Sequence, residues 1–296
     1  MPAYSAPDET GADYNPARKF AAVKLREDVT VLRQALHEGH PGLMRYLTVE
    51  DLDRRFDNIL KDLNEPLTEF EFFERIQRLV AAIGCTHTTC HVSAAAGTWL
   101  NERPIYPPLL VTIRDGKAYV LRASGNGAPP PGSELLAVNG HLATEWIGRM
   151  LCLVSVEGHN RAARQRYAEH PIYTGRYLTV LFGPAPEFAL RYAPPNSDII
   201  ESANLVGVTS AELTELYRVW QKELGKPNAP ISFAFREGIG VLTIGSMKPE
   251  VYTEADIDYL AFLKDSFKKL NAKSTPALVI DLRDNNGGTS QFAKAL

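Results

Sequence analysis

The sequence predicts a multidomain α+β protein with a helical N-terminal part, a β-rich middle part and an α/β C-terminal part. The chain has 296 residues, 45% hydrophobic and 23% charged, which supports two or three compact units with real cores. Apolar residues recur at helical spacing in the first third, and strand-like runs separated by turn residues follow. The predicted parts are a flexible tail at 1–14, a helical cap at 15–97, a β-rich module with a helical insertion at 98–206 and an α/β segment at 207–296.

The helical cap is predicted from its helix-start signals. Thr48 and Thr68 each lie three residues before a carboxylate, a spacing at which both side chains satisfy free amides at a helix start. An amphipathic run follows each threonine, and the second run ends at Gly84. A longer helix over residues 17–37 is predicted before them, ending ahead of His40-Pro41-Gly42.

The β-rich module is predicted to begin with a hairpin. Two strand-like runs, 109–114 and 117–121, are separated by Asp115-Gly116, a pair typical of tight hairpin turns. The segment 123–133 contains three glycines and three consecutive prolines, so it is predicted to be a surface loop. Further elements are predicted as a strand at 134–138, helices at 144–151 and 161–169, and a strand at 188–192.

The C-terminal segment is predicted to follow the order β, β, α, β. Thr209 is expected to cap a helix that runs to Leu224 and ends in a linker at 225–230. The unbroken apolar run Ala277–Ile280 predicts a strand buried on both faces of a sheet. The elements of this segment are predicted as strands at 231–235 and 241–244, a helix from Thr253 to about Leu270, a strand at 277–282 and a helix from Ser290.

Charge and hydropathy exclude several classes of protein. The formal net charge is −3, so the chain lacks the positive excess that a nucleic-acid partner requires. No apolar stretch approaches the roughly 18 residues of a membrane-spanning helix. The first residues show neither a basic nor an apolar signal region, and three cysteines are too few for a disulfide framework.

The most informative segment runs from Asp281 to Gly288. A strand that turns through paired glycines into a helix leaves backbone amides facing one point, where an anion can bind. The spacings of phosphate-binding and dinucleotide-binding loops are absent, and we expect no cofactor. Two interpretations remain. The segment forms an oxyanion hole for acyl transfer, with Gly287 and Gly288 as the candidate donors, or it forms a tight turn with no chemical role.

This segment resembles the C-terminal-processing, or tail-specific, serine peptidases, whose core carries an Asp-Leu-Arg-x-Asn-x-Gly-Gly stretch at such a turn. The similarity covers residues 15–296, because further landmarks occur in the family's order. They are His40-Pro41, Ile83-Gly-Cys-Thr-His-Thr88, Pro131-Gly-Ser-Glu-Leu-Leu-Ala-Val-Asn-Gly140 and Gly240-Val-Leu-Thr-Ile-Gly-Ser.

The resemblance implies a fold, a reaction and a location. It implies a divergent PDZ-like module around Pro131–Gly140, which either binds an extended C-terminal peptide or serves as scaffold, and the first half of an α/β peptidase core. It also implies hydrolysis of a polypeptide substrate by a Ser nucleophile and a Lys base. Only eight residues follow Gly288, so we expect the dyad to lie beyond this chain, leaving the chain alone inactive. Ser290 is a poor substitute, because it lies within the turn that would hold the oxyanion. Export is expected, although a cytoplasmic location stays open.

Four potential metal ligands lie close together: Cys85, His87, Cys90 and His91. If residues 86–92 form a strand, Cys90 faces away from the other three, so we expect no metal and no bridge between Cys85 and Cys90. We expect His87 to be packed or hydrogen-bonded instead.

A noncatalytic function is the alternative. Aromatic groups could contact a hydrophobic ligand, although core packing is the stronger interpretation; they are Phe70–Phe73, Tyr167–Tyr177, and Trp146 with Trp220. Relatives of the family include noncatalytic binders of hydrophobic ligands, so a binding protein for such a ligand or a peptide remains possible. A Ser and a Lys in the downstream sequence would favour the peptidase.

Overall fold

The computed structural model describes residues 13–224, 229–273, 275–283 and 285–296 and has a mixed α+β architecture. The chain divides into two compact units, Met1–Arg218 and Val219–Leu296. Most of the predicted tail and residues 225–228 of the predicted linker lie outside the described residues. Tyr14, the last residue of that tail, is buried and contacts the rings of Phe70 and Trp99.

The first unit begins with helices around their own hydrophobic core. Buried side chains from the first three helices and from the segments that follow them form it, including Val29, Leu52, Phe56 and Ile83. The elements are β1 (Lys19–Phe20), α1 (Ala22–Gly39), α2 (Val49–Asp62), β2 (Leu67–Thr68), α3 (Glu69–Ala82) and α4 (Ala94–Glu102), with β1 and β2 paired antiparallel.

The predicted caps of α2 and α3 are confirmed. The Thr48 side chain accepts from the Asp51 amide, and Thr68 forms a complete capping box with Glu71. The predicted start of the first helix at residue 17 is wrong, because residues 19–20 are extended and pair with β2.

The rest of the first unit is an antiparallel sheet with helices packed on it. Its core includes Val120, Leu135, Trp146, Leu153 and Leu190. The elements are β3 (Leu109–Arg114), β4 (Lys117–Ala123), β5 (Glu134–Val138), β6 (His141–Leu142), α5 (Ala143–Leu151), α6 (Arg161–Ala168), α7 (Pro171–Phe182), β7 (Glu187–Ala193), β8 (Glu201–Val206) and the first part of α8 (Ser210–Glu223), which continues past Arg218 into the second unit. The strand order is β3-β4-β5-β7-β8, and β6 pairs with β5.

The predicted hairpin of β3 and β4 is confirmed. Asp115 and Gly116 both have positive φ, 52° and 78°, as its two-residue turn requires. Helix α7 and strand β8 were not predicted from the sequence. Most side chains of β8 are exposed, which removes the alternation that marks a strand. Trp146 and Phe70 are buried in the core, which confirms the core-packing interpretation for these two residues, whereas Tyr173 is 42% exposed and does not fit it.

The second unit contains a three-stranded sheet of order β11-β10-β9. Its core includes Ile231, Leu242, Ile244, Tyr252 and Leu263. The elements are β9 (Ile231–Arg236), β10 (Ile239–Ile244), α9 (Pro249–Glu254), α10 (Tyr259–Ala272), β11 (Leu278–Asp281) and α11 (Ser290–Ala295). β10 pairs antiparallel with β9 and parallel with β11.

Two predictions about this unit are wrong. The helix expected from Thr253 is divided into α9 and α10, because Asp256 has a positive φ and Asp258 caps a new start by accepting from the Ala261 amide. The strand expected to be buried on both faces lies at the sheet edge. Val279 and Ile280 are therefore 48% and 41% exposed. None of the described helices has the length and hydropathy needed to cross a membrane.

Candidate functional site

The predicted glycine turn connects β11 to α11 in the second unit. It follows the C-terminal end of a strand that runs parallel to its neighbour β10. The Asp281 carboxylate fixes the beginning of the turn by accepting from the Arg283 backbone amide at 3.1 Å and from its guanidinium at 2.9 and 2.7 Å. Asp284, within the same motif, lies outside the described residues.

Asn285 ties the turn to the sheet. Its side-chain amide donates to the backbone carbonyl of Ile244, at the end of β10, over 3.0 Å. Its carbonyl oxygen accepts from the Gly287 backbone amide over 2.7 Å. The amide of the first candidate donor, Gly287, is therefore engaged inside the protein.

Gly288 lies against the segment that follows β10. Met247 donates its amide to the Gly287 carbonyl over 3.0 Å, and its carbonyl accepts from the Thr289 amide over 2.8 Å. These two bonds form a parallel bridge between Met247 and Gly288. Gly288 is exposed and has a φ of 149°, and its amide donates to no group among the residues that the structure describes. Of the two predicted donors, Gly288 has the amide that a ligand can use.

A side chain could not replace the hydrogen of Gly288 without moving the backbone. A Cβ built there would lie 2.0 Å from the carbonyl carbon and oxygen of Met247 and 2.5 Å from the Lys248 nitrogen. A Cβ on Gly287 would meet no atom within 4 Å. The two glycines therefore serve different purposes, since only the second is required by a close approach.

Ser290 is the first residue of α11 and is exposed, directly after the N-cap residue Thr289. In the described part of the chain, no histidine or lysine is hydrogen-bonded to its hydroxyl. The geometry gives this serine no activating base, and such a base is what a serine nucleophile needs.

The cysteine and histidine cluster does not lie on a strand, contrary to the prediction. Residues 86–92 are irregular, and His87, expected to be packed or hydrogen-bonded, is exposed. Cys85 and Cys90 are free thiols packed against the helical core, and burial raises the pKa of Cys90 to about 11. Across the described ranges, no three His, Cys, Asp or Glu side chains are placed to hold a metal ion.

Two of the sequence landmarks, His40-Pro41 and the segment Ile83–Thr88, are in contact in the structure. Nε2 of His40 lies 2.8 Å from the Thr88 hydroxyl, and Nδ1 accepts from the Gly42 amide over 3.1 Å. Because Nδ1 accepts, Nε2 carries the proton of the neutral ring and donates to Thr88. The pairing fastens the loop after α3 to the end of α1.

The landmark at Pro131–Gly140 supplies part of the sheet. Asn139 and Gly140 have positive φ and turn the chain from β5 into β6. The Asn139 side chain accepts from the Ala189 amide over 2.7 Å and donates to the Glu187 carbonyl over 3.3 Å. This asparagine therefore has a structural position, holding the turn against β7.

Comparison with known proteins adds no family assignment: neither a scan against protein-family models nor a search of curated proteins finds a match for this chain.

Proposed function

We propose that this chain is part of a serine-type peptidase similar to the tail-specific peptidases, and that the Gly288 amide is a donor of its oxyanion hole. The observation that carries the proposal is the glycine turn at the end of a parallel strand. There the Gly288 amide has no partner among the residues that the structure describes, while the Gly287 amide is bound to Asn285. This assignment narrows the two candidate donors to one.

The proposed reaction places charge beside Gly288. A serine Oγ attacks the carbonyl carbon of a peptide bond, its proton passes to a neutral lysine, and the carbonyl oxygen becomes an oxyanion. A backbone amide held by hydrogen bonds on both sides needs little reorganisation to donate to that oxygen. Losing one such donor typically costs about 10² to 10³ in kcat.

The nucleophile and the base are not assigned to residues described here. In this proposal both lie in sequence that follows Leu296, and residues 1–296 alone are inactive. The PDZ-like character of the β-rich module and export from the cytoplasm belong to the same proposal, and both rest on the resemblance.

The proposal is tested by measuring cleavage of fluorescein-labelled casein by residues 1–296 and by a protein that includes the following sequence. We expect activity in the longer protein only, lost on replacing its serine or its lysine. Cleavage by residues 1–296 that survives Ser290→Ala would contradict the assignment of the nucleophile. A longer protein without serine-dependent cleavage would contradict the peptidase itself.

Asn285→Ala tests the role of the turn in the longer protein. The substitution releases the bond to the Ile244 carbonyl and frees the Gly287 amide, so the Gly288 amide loses its fixed position. We expect kcat to fall with little change in KM, because the interaction is made with the transition state. Asn286→Ala, a change at an exposed residue of the same turn, is the matched control. An unchanged kcat in a folded Asn285→Ala protein would mean that the turn has no role in catalysis.

A noncatalytic binding protein is the second candidate, favoured by an open cavity in the second unit. The cavity has a volume of about 390 Å³ and is lined by Phe267, Leu270 and Leu278 among others. A fluorescent fatty acid would test it: binding that is weakened by Phe267→Ala and not by Leu260→Ala, an exposed apolar residue of the same helix, would support this candidate. No saturable binding would exclude it for this ligand class.

A further inference from the structure

Asparagine is followed by glycine at three positions of the chain: Asn126-Gly127, Asn139-Gly140 and Asn286-Gly287. In such a pair the backbone nitrogen of the glycine can attack the asparagine side chain, because glycine has no Cβ to obstruct the approach. The product is a succinimide, which opens to aspartate or isoaspartate. Whether a given pair reacts depends on how the structure holds the two reacting groups.

The reaction exchanges one bond at the asparagine side chain. The glycine nitrogen loses its proton and bonds to Cγ of the asparagine, the bond from Cγ to Nδ2 breaks, and ammonia leaves with that proton. Water then adds to one of the two ring carbonyls and opens the ring. The net change replaces an amide group with a carboxyl group, and it needs neither an oxidant nor a reductant. The side chain must be able to turn toward the glycine amide, and that amide must be available.

The side chain of Asn139 is held at both of its polar atoms. Its Oδ1 accepts from the Ala189 amide over 2.7 Å, and its Nδ2 donates to the Glu187 carbonyl over 3.3 Å. The Asn139 backbone amide also donates to the Ala189 carbonyl over 2.8 Å. The side chain cannot turn toward Gly140 until these bonds to β7 break, so the folded structure protects this pair.

The pair at Asn286 is protected through its glycine. The Asn286 side chain is exposed, but the attacking nitrogen, that of Gly287, donates to Oδ1 of Asn285 over 2.7 Å. Asn285 is itself fixed, because its Nδ2 donates to the Ile244 carbonyl over 3.0 Å. Attack at Asn286 therefore requires the hydrogen bond of Gly287 to break first.

The pair at Asn126 has neither kind of protection. Asn126 and Gly127 are both exposed, in the loop between β4 and β5. Within the described part of the chain, the Asn126 side chain has no hydrogen-bond partner and the Gly127 amide donates to no group. The turn around them is closed by a hydrogen bond of 3.3 Å from the Ala128 amide to the Gly125 carbonyl. Both reacting groups are therefore available in the folded protein.

We propose that Asn126 is a site of spontaneous modification, at which the folded protein is converted to aspartate and isoaspartate while Asn139 and Asn286 are preserved. The conversion makes the formal net charge of −3 more negative by one, and isoaspartate also lengthens the backbone of the loop by a methylene group. The proposal is independent of the peptidase activity, because the reaction consumes only water.

The test follows the three asparagines in the wild-type chain during incubation at mildly alkaline pH. Digestion at glutamate in acidic buffer separates Asn126 from Asn139, because Glu134 lies between them, and mass spectrometry quantifies each converted peptide. We expect Asn126 to convert at least about tenfold faster than either of the other two. No conversion at Asn126, or conversion of Asn139 or Asn286 at the same rate, would overturn the proposal.

Two further measurements show whether the folded structure sets this order. In urea, where the contacts of Asn139 and Gly287 are lost, the three rates should converge, and an unchanged order would contradict the structural argument. Asn285→Ala removes the acceptor of the Gly287 amide and should accelerate conversion of Asn286, with Asn126 unchanged. A folded Asn285→Ala protein in which Asn286 converts no faster would contradict protection by that hydrogen bond.

Asn126→Gln is the matched control, because glutamine keeps the amide group and would have to close a larger ring. Isoelectric focusing should show an acidic form that accumulates in the wild-type chain and not in Asn126→Gln. Equal accumulation of that form in both proteins would place the modification at another residue and overturn the assignment.

Discussion

Replacing Gly288 with alanine should destabilise the second unit far more than the same change at Gly287. The added Cβ would lie 2.0 Å from the Met247 carbonyl group, whereas ordinary contact begins at 3.4 Å. The backbone segments must separate, although their bridge depends on two hydrogen bonds of 3.0 and 2.8 Å.

The magnitude follows from the broken contacts. Two backbone hydrogen bonds contribute about 0.5–1.5 kcal/mol each, and an L-residue at a φ of 149° adds about 1–3 kcal/mol of strain. We therefore expect Gly288→Ala to cost about 2–6 kcal/mol in the free energy of unfolding. Gly287→Ala meets open space and should cost only about 1–2 kcal/mol, from its φ of 87°.

Urea unfolding monitored by circular dichroism measures both variants against the wild-type chain. In a small unit each 1 kcal/mol also shifts Tm by about 4–8 °C, so the two variants should separate clearly in a thermal scan. If Gly288→Ala is no less stable than Gly287→Ala, the bridge to Met247 does not hold the turn. In that case Gly288→Ala would not perturb the fold, and a loss of activity in a longer protein could be attributed to the Gly288 amide.

Four further predictions concern the first unit. Gln77→Ala should lower the free energy of unfolding by about 2–4 kcal/mol in urea titrations, because the buried Gln77 side chain is hydrogen-bonded to the Leu153 carbonyl and the Cys90 amide. Gln34→Ala, a change at an exposed residue, is the control. A smaller loss of stability in Gln77→Ala than in Gln34→Ala would refute this prediction. Thr68→Ala should cost about 1 kcal/mol. The hydrogen bond from the Thr68 amide lowers the pKa of Glu71. The contribution of ionised Glu71 to the free energy of unfolding is therefore present above pH 4.5 and is lost as the pH falls through the pKa of Glu71 in the folded protein. Measured as a function of pH, the free energy of unfolding of Glu71→Gln should change less in this range. Thiol labelling at pH 8 should modify the exposed Cys152 well before Cys90, whose pKa is raised to about 11 by burial, and equal rates would contradict that burial.

Local signals in the sequence determined many of the elements. The capping pairs at Thr48, Thr68 and Thr209 set helix starts, because a hydroxyl and a carboxylate three residues apart need no distant partner. Asp115-Gly116 set the hairpin, since few residues adopt positive φ at low cost. Helix caps and tight turns depend on residues a few positions apart, so they can be predicted from the sequence directly.

The tertiary structure decided which groups meet. Gly287 and Gly288 look equivalent in sequence, and only the position of Asn285 and the approach of Met247 distinguish an engaged amide from an available one. The run Ala277–Ile280 indicates a buried strand by composition, but its place at the sheet edge leaves Val279 exposed. The contact of Glu169 with Ile113 spans 56 positions of the chain, and no local pattern encodes it. Burial and pairing depend on distant segments, whereas turns and caps depend on neighbours.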